Sequence, residues 1–64
     1  MLNEDLKKIA DDFGVSLGLV EELSSLYRLV NTSSNTLTYY EKIDSLTSDS
    51  DLKLSISKLV ERYE

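Results

Sequence analysis

The side chains of this sequence that could do chemistry are carboxylates in pairs: Asp11-Asp12, Glu21-Glu22, and Asp49 with Asp51. Such pairs serve elsewhere as ligands of hard cations or as acid/base couples. A calcium-type site needs roughly six to eight oxygens wrapped round a loop, and no segment has that pattern. A glycosidase-type pair needs a cleft that raises one carboxyl pKa. A chain of 64 residues leaves little room for one. The sequence has no His and no Cys. That removes imidazole bases, thiolate nucleophiles, the usual zinc ligands and disulfides. Helix caps and solvated faces account for the three pairs. The expectation is a protein without catalytic activity, cofactor, metal or small-molecule substrate.

Twelve acids oppose seven bases, for a net charge of −5, with 41% apolar and 30% charged residues. This mixture suits a folded domain rather than a disordered chain. No run approaches the ~20 apolar residues that span a bilayer, so no membrane association is expected. Met1-Leu2-Asn3-Glu4-Asp5 is acidic where a signal peptide is basic, which predicts a cytoplasmic protein. The glycosylation-type triplet Asn31-Thr32-Ser33 is then idle. Sparse Ala and Arg beside abundant Ser, Leu, Asp and Tyr suit an AT-rich bacterial or phage genome. Residues 1–64 form one small domain, burying only about 60% of the unfolded surface. A core this small gains from association, so a homodimer is one arrangement to expect.

The elements that position these residues are helical. With no Pro and only Gly14 and Gly18 as breakers, long stretches are free to form helix. Asn3 is placed to cap a first helix whose face carries Leu2, Leu6, Ile9, Ala10 and Phe13. Gly14 ends it in a left-handed conformation. Ser16 caps a second helix of about fifteen residues. Its apolar face holds Leu19, Val20, Leu23, Leu26, Tyr27 and Val30, and its polar face Gly18, Glu21, Ser25 and Arg28. The segment 31–35 reads as a polar loop, and a third helix puts Tyr39, Ile43 and Leu46 in register. After a break at 47–50, Ser48 with Asp51 reads as a near capping box for a last helix striped by Leu52, Ile56, Leu59, Val60 and Tyr63. The predicted fold is a compact all-α domain of three to four helices.

Residues 6–23, from Leu6 through Ala10, Phe13, Gly14 and Val15 to Val20 and Leu23, resemble in degenerate form the helix-turn-helix of bacterial and phage DNA-binding regulators. The resemblance implies a DNA-binding transcriptional regulator whose groove-facing positions are Ser16, Leu17, Gly18, Glu21, Glu22 and Ser25. None of these is Arg, Lys, Asn or Gln, and two are acids that would face an acidic polymer. Thr36-Leu37-Thr38-Tyr39-Tyr40-Glu41-Lys42-Ile43 is also similar to the segment after the Gly-Val-Ser turn of MerR-type regulators. In that family the two pieces share one helix. Here a helix and a loop separate them, and the likeness is set aside.

Apolar residues off the predicted stripes remain. Leu17 stands amid Gly18, Glu21 and Glu22; Tyr40, about 100° round from Tyr39, shares a flanking face with Leu37; Leu54 lies on the polar side of its helix. An apolar centre inside an acidic rim suits a basic or mixed protein surface better than a nucleic acid. The expected function is therefore a small acidic regulatory or accessory protein. It acts by protein–protein contact through Leu17, Glu21, Glu22, Tyr40 and Leu54, and modulates or inhibits a nucleic-acid-binding partner. A DNA-binding regulator and a self-assembling structural subunit are the alternatives.

Overall fold

Four helices and no strand make up the computed structural model, which describes residues 2–63. They are α1 (Leu2–Phe13), α2 (Leu17–Thr32), α3 (Thr36–Leu46) and α4 (Ser50–Tyr63). The all-α expectation holds, and the boundaries show which local interactions set it.

Gly14 adopts φ 66°. Its amide donates to the Asp11 carbonyl at 3.3 Å, and the Val15 amide donates to the Ala10 carbonyl at 3.0 Å. Those two bonds satisfy the last carbonyls of α1 in the paired arrangement that a left-handed residue allows. Ser16 then begins α2, its hydroxyl oxygen accepting from the Leu19 amide at 3.2 Å.

Three expectations about the helix ends need correction. Asn3 does not cap α1: the helix includes Leu2, so Asn3 already lies within the first turn. The loop expected at 31–35 is shorter, because α2 runs through Thr32, whose hydroxyl donates to the Arg28 carbonyl one turn back. This local bond lets a capping-type residue stay helical. Ser48 does not cap α4. Asp49 does, its Oδ1 accepting from the amides of Asp51 at 3.0 Å and Leu52 at 3.2 Å. A carboxylate there also faces the positive end of the helix dipole.

Helix α2 is the hub. It packs against α1, α3 and α4, and α4 also packs against α1. Among the described residues α3 has no backbone approach to α1 or α4. The core follows: Val20, Leu23 and Leu26 of α2 meet Leu6 and Ala10 of α1, Ile43 of α3, and Leu52, Ile56, Leu59 and Val60 of α4. Six of these side chains are essentially inaccessible to solvent. The side chain of Leu2, expected on the α1 stripe, lies outside the described set. Tyr63 departs from its predicted stripe. It is 48% exposed, and its hydroxyl donates to Asp5 Oδ2 at 2.7 Å, tying the end of α4 to the start of α1.

Candidate functional site

Helical periodicity sets what α2 leaves outside. Its core side is centred on Val20, Leu23 and Leu26, so Gly18, Glu21, Glu22, Ser25 and Leu29 stand on the opposite side, all exposed. Leu29 is the apolar member of this surface that the stripe reading missed. Its spacing from Gly18, Glu22 and Ser25 carries the signal. Leu17 differs from the sequence reading. It is half-buried and packs against the core, so it is a wall of a cleft rather than an exposed apolar centre. That cleft, about 260 Å³, lies between the first turns of α1 and α2 and is lined by Asn3, Glu4, Lys7, Leu17 and Glu21. Glu22 is exposed on α2 and is not part of its lining.

The structure brings Tyr40 and Leu54 together, on a surface separate from Leu17. They line a groove of about 330 Å³ with Tyr27, Ser50, Lys53 and Ser57. Tyr40 is 45% and Leu54 54% exposed, and Leu37, one helical turn before Tyr40, is 68% exposed. The groove exists because α3 and α4 both lean on α2 without approaching each other. Lys53 Nζ and Asp44 Oδ1, 2.7 Å apart, link the two helices. Tyr27 of α2 is a residue of this site that the sequence assigned to the core alone. Burial raises its hydroxyl pKa above the usual 10.0; the Lys53 ammonium pulls it down, while Tyr40 and Asp44 push it up.

A further cleft lies between α1 and α4, where Asp5, Lys8, Ile9, Asp12, Ser55, Leu59 and Arg62 meet. Its charges balance, and Asp5 is engaged by Tyr63. The hydrogen bond from Tyr63 to Asp5 is the main reason the Tyr63 pKa lies above 10.0, since it is lost when the phenol ionises.

The described residues contain no group of three His, Cys, Asp or Glu arranged to hold a metal ion. No described helix is long and apolar enough to cross a membrane. What the arrangement offers is surface: an apolar groove over Tyr27 and an acid-flanked cleft beside Leu17. No protein-family model matches the chain, and no curated protein or solved structure is detectably similar to it.

Proposed function

We propose that this protein is a non-catalytic binding module that acts by docking another protein in the groove between α3 and α4. The observation that carries the reading is the convergence of Tyr40 and Leu54, from different helices, on one groove while both remain about half exposed. Leu37 extends the same apolar surface along α3. Interfaces concentrate their energy in a few aromatic and large apolar side chains surrounded by polar residues. Here Ser50, Ser57 and the Lys53–Asp44 pair supply the polar surround. A regulatory or accessory role, including control of a nucleic-acid-binding partner, is the form of this activity that suits a small acidic chain.

The second reading, a DNA-binding regulator, is favoured by the tight turn at Gly14 that joins α1 to α2. Glu21 and Glu22, exposed on α2, speak against it.

Capture from an extract of the source cell, with the wild type, Tyr40→Ser and Leu54→Asp as bait, tests the proposal. A partner retained by the wild type and lost by both variants, each with unchanged helicity, supports it. DNA retention that depends on Lys7 and Lys8 and weakens steeply with salt refutes it in favour of the regulator. A stable closed oligomer in sedimentation equilibrium, with no outside partner captured, refutes it in favour of self-assembly.

A further inference from the structure

The cleft between α1 and α2 is a second surface, with its own chemistry. Its lining carries two carboxylates, Glu4 and Glu21, against one ammonium, Lys7, and exposed Glu22 neighbours Glu21 on α2. Leu17 supplies an apolar wall backed by the core. The α1/α4 cleft, by contrast, sets Asp5 and Asp12 against Lys8 and Arg62. In the α3/α4 groove the cation Lys53 is already paired with Asp44. Only the α1/α2 cleft, of these three, joins an apolar wall to an excess of negative charge.

We infer that this cleft docks an arginine or lysine side chain from a basic segment of a partner protein. The inference rests on the reading of the chain as a protein-binding module and names the partner's chemistry at a second contact. Long basic side chains suit such a site because their stems pack on apolar surface while their charged heads remain in water. The stem lies along Leu17, and the head lies between Glu4 and Glu21. Arginine is preferred over lysine, since a planar guanidinium engages a carboxylate through two parallel hydrogen bonds. The net charge of −5 adds a long-range attraction that speeds encounter and is screened by salt. A nucleic-acid backbone has the opposite sign and is repelled by the same carboxylates.

The test is an NMR titration of the intact, isotopically labelled chain with a short arginine-rich peptide, with an uncharged glycine–serine peptide as control. Glu21→Lys and Glu61→Lys make the same change in net charge at exposed helical positions, one in the cleft and one on α4. The expected result is shifts centred on Lys7, Leu17 and Glu21. Affinity falls at least about fivefold in Glu21→Lys and changes little in Glu61→Lys, as a local ion pair rather than net charge requires. Equal losses in both variants, shifts spread over the whole chain, or the same shifts produced by duplex DNA overturn the inference. A peptide response absent here, beside a partner still captured through Tyr40 and Leu54, overturns this cleft and leaves the α3/α4 reading standing. Loss of that partner with the peptide response intact does the reverse.

Discussion

Replacing each glycine by alanine should move stability in opposite directions. Gly14 holds φ 66°, and a Cβ built there meets nothing within 4 Å. Steric overlap therefore contributes nothing, and the whole cost of Gly14→Ala is the backbone preference against the left-handed region. That cost is roughly 1–2 kcal/mol. Gly18 lies inside α2, and a Cβ there also meets nothing within 4 Å. Gly18→Ala only narrows the unfolded ensemble and restores helix propensity, a gain of up to about 0.5–1 kcal/mol, less so close to the helix start. For a domain of this size 1 kcal/mol corresponds to about 4–8 °C in melting temperature. Gly14→Ala should then melt about 4–16 °C lower than the wild type, and Gly18→Ala up to about 8 °C higher. Thermal melts followed by far-ultraviolet circular dichroism, with matched urea titrations, measure both. A Gly14→Ala protein that melts at or above the wild type would refute the account of how α1 ends. A Gly18→Ala protein as unstable as Gly14→Ala would show that the glycines act through something other than backbone conformation.

Leu23, fully buried at the centre of α2, should cost about 2–5 kcal/mol when cut to Ala, read as a lowered urea midpoint. Asp49→Ala should lose about 0.5–2 kcal/mol with the α4 cap, whereas Ser48→Ala should stay within about 0.5 kcal/mol of the wild type. The pKa of Tyr63 is raised above 10.0, so the folded state holds this proton more tightly than the unfolded one. Its contribution is fully present below pH 10.0 and is lost as pH rises through the raised pKa. Denaturant midpoints measured over an alkaline series should fall, and Tyr63→Phe should shallow that fall, with Tyr27 supplying a remainder of the same sign.

The helices were legible because their apolar periodicity and turn residues agree. Gly14 and Ser16 mark the α1–α2 junction in sequence as they do in space. Where several capping residues stand in a row, sequence could not choose. Ser48, Asp49 and Ser50 are all competent caps, and the selection of Asp49 depends on where Leu52 must enter the core. The site was legible only in pieces. Tyr40 on a flanking face and Leu54 on a polar one stood out as apolar residues off the core stripes, but their convergence depends on how α3 and α4 rest on α2, which no local pattern encodes. Leu17 misled for a related reason. Its helical angle puts it at the edge of the core stripe, where the approach of α1 decides its burial.

The hub arrangement of α2 also divides the molecule by how readily its parts open. The backbone of α3 approaches α2 alone, yet its Ile43 is fully buried in the core to which α4 also contributes, whereas α1, α2 and α4 pack against one another. Detaching α3 would uncover Ile43 and the α2 side chains it covers, a cost on the scale of a large core truncation, about 2–5 kcal/mol. The Lys53–Asp44 pair, with Lys53 partly buried and Asp44 exposed, adds little to this, about 0–1 kcal/mol. The α3 amides should exchange with deuterium faster than those in the middle of α2, which await global unfolding. Each such excursion carries Tyr40 away from Leu54, so the docking surface exists only while α3 is seated on α2.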